Sequence, residues 1–169
     1  MTQEKDTLKV PKTRFVVELR LRGRQLRRVE VFVADRGHRS RRWSDVLGLL
    51  DQPERFFPAQ DTQTSEWLLC NKEEVIWVAL ATEPESDEFE LFDRRFVVTV
   101  DLDDGSALDG ELFFSAPSAE QRVVDYLNRE ERFFLLYQTD RVVLVNKASA
   151  AAVVERVADG QRGVLRGED

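Results

Sequence analysis

Side chains that commonly carry catalysis are scarce in this chain. His38 is its only histidine and Cys70 its only cysteine, so no disulfide can form within the chain, and neither a His-rich metal site nor a conventional Cys-His or Ser-His pair is easily built. His38 sits in Asp35-Arg36-Gly37-His38-Arg39-Ser40, a loop by composition in which no nucleophile or acid is placed beside it, so it reads as an exposed loop histidine. Cys70 closes the apolar run Trp67-Leu68-Leu69-Cys70 and reads as a small core hydrophobe. Asp103, Asp104 and Asp109 lack the spacing and terminal glutamate of a calcium loop, and the eight glycines are scattered rather than gathered into a phosphate cradle. The expectation is a non-enzyme with no metal and no cofactor.

Binding chemistry is better represented. Arg20, Arg22, Arg24, Arg27, Arg28, Arg36, Arg39, Arg41 and Arg42 place nine guanidinium groups in 23 positions. Arg20 and Arg22 lie opposite the apolar side of an alternating segment and so project together, a basic stripe suited to phosphates, anionic lipid or an acidic protein. Arg42 with Asp45, and Arg122 with Asp125, are three apart; each pair shares a helix face, either as a partner contact made twice or as an ion pair tying the helix down. Asn71-Lys72 and Asn146-Lys147 follow apolar runs, where Asn suits a left-handed strand-to-strand turn.

These groups must be held by a scaffold, and the scaffold repeats. Arg14-Phe15-Val16-Val17 recurs as Arg95-Phe96-Val97-Val98, and Arg42, Asp45 and Leu47 recur as Arg122, Asp125 and Leu127. Glu54-Arg55-Phe56-Phe57 returns as Glu131-Arg132-Phe133-Phe134, and Asn71-Lys72 as Asn146-Lys147. The order is kept and the offset drifts only from 81 to 80, 77 and 75, the mark of an internal repeat with a few loop residues lost. The expected organisation is a flexible N-terminus over 1–13, a first repeat over 14–80, an acidic linker over 81–94, a second repeat over 95–157 and a flexible tail over 158–169. A unit of that size has a marginal core alone, so the two are expected to dock as a pseudo-twofold pair.

Within each unit the pattern is β-rich. Phe15, Val17, Leu19 and Leu21 alternate with Glu18, Arg20 and Arg22; Phe96, Val98, Val100 and Leu102 alternate with Thr99, Asp101 and Asp103. Asp103-Asp104-Gly105 signals a hairpin turn, and Trp43 to Leu50 and the segment capped by Ser118 predict short helices. The order is strand, strand, helix, strand, strand, strand. Phe56-Phe57 and Phe133-Phe134 put neighbouring rings on opposite sides of a strand, so one of each pair faces outward unless another layer covers it, either the other lobe or another protomer.

Val-Thr-Val-Asp-Leu-Asp-Asp-Gly from Val98, the Gly110-Glu111-Leu112-Phe113-Phe114 strand, and Val142-Val143-Leu144-Val145-Asn146-Lys147 before a last apolar strand resemble the Sm-like small barrel, of SH3-like topology. Arg122-x-x-Asp125-Tyr126-Leu127-Asn128 inserts a helix inside the barrel order, which departs from that family and resembles an uncharacterised bacterial Sm-like group with an Arg-x-x-Asp-Phe/Tyr-Leu-Asn signature. The resemblance implies two tandem antiparallel barrels. It also implies that the Asn71-Lys72 and Asn146-Lys147 turns could line a nucleotide pocket. Against RNA stand seven basic and eleven acidic residues across Arg95 to Val157, and a whole-chain net charge of −7.

A polar start and no long apolar run suggest a cytoplasmic protein without membrane insertion. The function expected is a non-catalytic adaptor in a bacterial cytoplasm. Its basic face, Arg20, Arg22, Arg24, Arg27 and Arg28 with Arg42 and Arg122, would hold an acidic protein or regulatory complex. Single-stranded RNA binding through Asn71, Lys72, Asn146 and Lys147 is the alternative. The acidic positions of the second unit opposite the arginines of the first also suggest lobe-to-lobe docking or head-to-tail self-association.

Overall fold

The computed structural model describes residues 12–34, 42–81, 92, 94–115 and 122–156. Period-two alternation becomes strand wherever it was read. In the first unit these are β1 (Lys12–Leu21), β2 (Arg27–Ala34), α1 (Arg42–Asp51), β3 (Phe56–Asp61), β4 (Trp67–Asn71) and β5 (Val75–Ala81), with a single 3-10 turn at Lys72–Glu74 before β5. In the second they are β6 (Arg94–Leu102), β7 (Ala107–Phe114), α2 (Val123–Leu127), β8 (Phe133–Tyr137), β9 (Arg141–Asn146) and β10 (Ala150–Arg156), with the matching turn at Lys147–Ser149. Ser118, His38, Arg36, Arg39, Arg41 and most of the acidic linker lie outside the described residues. Arg122 stands at the N-cap of α2.

The chain is mainly β, and its strands form one antiparallel sheet in the order β10-β6-β7-β8-β9-β5-β1-β2-β3-β4. Two separately closed barrels were expected; the hydrogen-bonded ladder instead runs open through both units. The reason is β5, which pairs with β1 on one side and with β9 of the other unit on the other. The join is therefore head-to-tail, fifth strand of one unit to fourth strand of the next, rather than the twofold pairing expected. Read from its fifth strand, each unit has the same order: β5-β1-β2-β3-β4 and β10-β6-β7-β8-β9.

Register repeats as well as order. Phe15 faces Val31 and Phe96 faces Leu112; Phe57 faces Cys70 and Phe134 faces Val145; Leu19 faces Val78 and Val100 faces Val153. Even the irregularity recurs, between Arg20 and Leu21 and again where β10 meets the end of β6. The Asp103-Asp104-Gly105 turn is as predicted, with Gly105 at φ +85°, a conformation that Gly adopts without a Cβ clash.

Two apolar clusters share the sheet. One gathers Val17, Leu19, Val29, Val31, Val46, Leu50, Phe57 and Cys70 of the first unit, and admits Phe133 and Leu144 of the second. The other gathers Val98, Val100, Leu112, Phe114, Leu136 and Val143 of the second unit, and admits Ile76, Trp77 and Ala79 of the first. From Trp77 to Leu80 alternate residues of β5 thus enter different cores, while Ile76, at the register shift, joins Trp77 in the second. Each large side chain so buried contributes about 1.5–3 kcal/mol relative to exposure, so the junction is held by apolar contact as well as by its ladder. Thr99, expected outward, is buried; its hydroxyl donates to Asp109 Oδ1 at 2.5 Å and accepts from Arg156 Nε at 3.0 Å, which meets its need for partners.

Candidate interaction surfaces

The basic stripe meets carboxylates of its own chain. Arg22, whose backbone amide donates to the Glu74 carbonyl at 2.8 Å, directs its guanidinium to the Asp103 carboxylate and to Ser149 Oγ at 3.2 Å. Arg20 lies 3.6 Å from Asp104 and Arg27 3.5 Å from Asp61. Arg22 with Asp103 and Arg20 with Asp104 thus bring opposed charges of the two units together at the junction, in agreement with lobe-to-lobe docking, whereas Arg27 and Asp61 pair within the first unit. The hydrogen bond to Asp103 raises the Arg22 pKa. Asp104 is held below the usual carboxylate range by the hydroxyl and amide of Ser106, with a smaller contribution from Arg20. Amides of Thr64 and Gln63 do the same for Asp61. Being partly exposed, such pairs add little to stability each. Arg24 and Arg28 are exposed on the first hairpin.

Arg42 begins α1 and is exposed. Arg122 caps α2: the Asp125 carboxylate accepts from its Nε at 3.0 Å, its Nη2 at 3.1 Å and its backbone amide at 3.3 Å. That is the local tie anticipated from the spacing, and it lowers the Asp125 pKa.

The two Asn-Lys pairs do the same structural task twice. Asn71 and Asn146 are extended, with φ −78° and −71°, rather than left-handed as expected; each side-chain oxygen accepts the amide two residues on and so caps a 3-10 turn. Lys72 Nζ donates to the Gln52 carbonyl and Lys147 Nζ to the Arg129 carbonyl, both at 2.8 Å. Each ammonium thereby satisfies a carbonyl just past the end of its unit's helix, where cations are favoured. Lys72 is buried, and desolvation lowers the pKa of both lysines. Asn146 Nδ2 also donates to the Val75 carbonyl at 2.9 Å, across the junction. Cys70, counterpart of Val145, is buried in the first core, and its pKa is pushed up to about 11 by burial, as befits an inert thiol.

The surface that sequence reasoning reached only in part is the outer edge of the first unit. β4 is the last strand of the sheet, and beside it Phe56, Trp67 and Leu69 are 53%, 63% and 75% exposed. Trp67 stacks on Phe32 at 5.3 Å between centroids. One ring of the Phe56-Phe57 pair does face outward, as predicted, whereas Phe133 and Phe134 are both buried, Phe134 in its own unit's core and Phe133 in the core of the first unit, which covers it. Trp67 and Leu69 belong to an apolar run, Trp67 to Cys70, whose alternate positions differ in exposure but not in polarity, so the sequence carries no signal that separates the outer face.

At the opposite end, β10 is the other terminal strand, and between it and α2 lies a groove of about 490 Å³ lined by Val123, Leu127, Phe134, Ala150 and Val153 among others. Among the described residues no group of three or more His, Cys, Asp or Glu is placed to hold a metal ion, and no helix is long and apolar enough to cross a membrane. No family model, curated protein or solved structure matches the chain.

Proposed function

We propose that the protein is a non-catalytic protein-interaction module, an adaptor of a bacterial cytoplasmic complex, formed from two Sm-like units fused in tandem through one open sheet. The observation that carries this reading is the open β4 edge flanked by Phe56, Trp67 and Leu69. Exposed apolar side chains gathered at one place mark a protein contact, and a terminal strand offers unpaired amides and carbonyls to an incoming strand. Arg24 and Arg28, exposed on the first hairpin, add a basic flank that favours an acidic partner; Arg20, Arg22 and Arg27 serve the chain's own carboxylates. The hydrogen bonds of Asn71, Lys72, Asn146 and Lys147 within the fold argue against their use on RNA.

The test is capture by the tagged full-length chain, compared with Leu69→Lys and with Arg24→Glu/Arg28→Glu. Leu69→Lys is expected to lower capture of a defined protein about tenfold, equivalent to some 1.4 kcal/mol of lost contact, and the arginine variant to lower it in a salt-dependent way. Undiminished capture by both variants would overturn the reading. Salt-sensitive binding of single-stranded RNA with no protein captured would replace it with the RNA alternative.

A further inference from the structure

We infer that the outer face of the first unit, across β1 to β4, takes an acidic, phenylalanine-bearing segment of another protein. This rests on the interaction reading above and names the chemical class of the partner.

The face is the one turned away from the first core. Val17, Val31, Phe57, Ala59 and Cys70 enter that core, so the alternate positions Arg14, Phe32, Phe56, Trp67 and Leu69 point the other way. An arginine and two rings form a ladder there. The Arg14 guanidinium stands over the Phe32 ring at 5.4 Å, and Phe32 stacks on Trp67 at 5.3 Å with planes 25° apart. Trp67 is largely exposed, so the ladder ends on an open ring. Tryptophan and arginine are the side chains that most often anchor a protein contact.

The second unit repeats this face and covers it. Arg95 and Phe113 face each other in the register of Arg14 and Phe32, with the guanidinium 5.9 Å from the ring. Phe113, Tyr137 and Val142 are buried, whereas their counterparts Phe32, Gln60 and Trp67 are not. Trp43 of α1 and Phe92 pack on the buried set, and Phe92 meets the Phe113 ring at 6.3 Å. Phe92 belongs to Glu88-Phe89-Glu90-Leu91-Phe92-Asp93. The ring laid on this Arg-Phe face is therefore carried by an acidic stretch of sequence. One filled copy of the site, in the same molecule, specifies what the empty copy accepts.

The stretch entering the first unit lacks that chemistry. At the offset that relates Arg14 to Arg95, Phe92 corresponds to Pro11, in Leu8-Lys9-Val10-Pro11-Lys12, which carries lysines in place of carboxylates and no ring. Charge on the face also favours an acidic occupant. Lys12 and Arg28 are exposed there, with no ion pair among the described residues. Arg14 reaches Glu30 only at 3.9 Å, whereas Arg95 binds Glu111 through two bonds of 2.9 and 2.6 Å. A carboxylate brought beside Arg14 thus meets a cation held less closely than its counterpart. The chain's own acidic stretch is engaged on the second unit through Phe92, which is why the occupant is another protein rather than a second copy.

The experiment titrates the full-length chain into a fluorescein-labelled peptide, Glu-Ser-Asp-Glu-Phe-Glu-Leu-Phe-Asp, the sequence of residues 85–93, and follows its anisotropy. Saturable binding is expected, weakening in high salt and falling about tenfold in Trp67→Ala and in Arg14→Glu. Both side chains are exposed, so the denaturant midpoints of the two variants are expected to stay near the parent's. A peptide with serine at both phenylalanine positions is expected not to bind. No saturation with the parent, variants that bind like the parent, or equal binding of the serine peptide would overturn the proposal. So would binding of oligouridylate but not of peptide, which assigns the face to RNA. A parent whose sedimenting mass grows with concentration and falls back on adding peptide would likewise overturn it, making the occupant a second copy. If the peptide fails while Leu69→Lys still lowers capture of a defined protein, the partner class falls and the interaction reading stands; if capture is also undiminished in Leu69→Lys and in Arg24→Glu/Arg28→Glu, both fall.

Discussion

Phe133 and Phe56 hold the same place in their units, opposite Asn146 and Asn71, yet one is 3% exposed and the other 53%. Leu144 and Leu69 differ even more, fully buried against three-quarters exposed. Neither strand context nor register distinguishes them. What differs is the neighbour: the first unit lies against β9, and nothing described lies against β4. Burial in this molecule is thus decided by which edge a neighbour occupies, and the covered and bare edges serve as each other's control.

The largest effect expected from this contrast is on stability at high dilution. Phe133→Ala should cost about 3–5 kcal/mol, the usual loss for a core aromatic, whereas Phe56→Ala should stay within about 0.5 kcal/mol, as for other surface changes; denaturant unfolding of both variants measures the difference. Equal losses would mean that Phe56 is covered in the single chain and would break the comparison.

An intermediate effect is expected where the hairpins differ. Gly110 is the counterpart of Val29, which is fully buried. A Cβ on Gly110 would stand 2.7 Å from both Leu136 Cγ and the backbone oxygen of Tyr137, and the backbone cannot give way as a side-chain tip would. Gly110→Ala is therefore expected to destabilise by about 1–3 kcal/mol through overpacking, read from the same denaturant midpoints. An unchanged midpoint would show that β7 and β8 are not so closely apposed.

The smallest effect should come from the charged seam. Arg22→Ala is expected to cost no more than about 1 kcal/mol, fading in high salt, because the pair is partly exposed. Acid acts on Asp104 at this seam and on Asp61 within the first unit. Asp104 and Asp61 have native pKa values below their unfolded ones, so their stabilisation is present above the ordinary carboxylate pKa of about 4 and is lost as pH falls through the lower native values. The denaturant midpoint should drop across that window, and less steeply in Asp104→Asn; a parallel drop in that variant would place the sensitivity elsewhere.

Much of the scaffold was legible. The recurrence of Arg14-Phe15-Val16-Val17 and of Glu54-Arg55-Phe56-Phe57 located both units, because register follows the period-two pattern and both were copied together. The Asp103-Asp104-Gly105 turn and the outward ring of Phe56 followed from local stereochemistry. How the units join was not read, since every strand edge offers the same backbone groups whatever its side chains. One contrast did carry that information: Val75 to Ala81 is apolar at every position, as a strand covered on both faces must be, while Ala150 to Arg156 ends in Glu155 and Arg156. The Asn-Lys turns looked open to nucleotide chemistry because the distant carbonyls of Gln52 and Arg129, which claim the two ammonium groups, are adjacent only after folding.

The placing of β5 between β1 and β9 imposes an order on synthesis. Val75–Ala81 leaves the ribosome wholly apolar, and its second neighbour, Arg141–Asn146, arrives some sixty residues later. Through that interval the nascent first half displays a sticky flank, so slow translation of the second half should promote misassembly, and severing the chain at the acidic segment should leave an N-terminal fragment that aggregates.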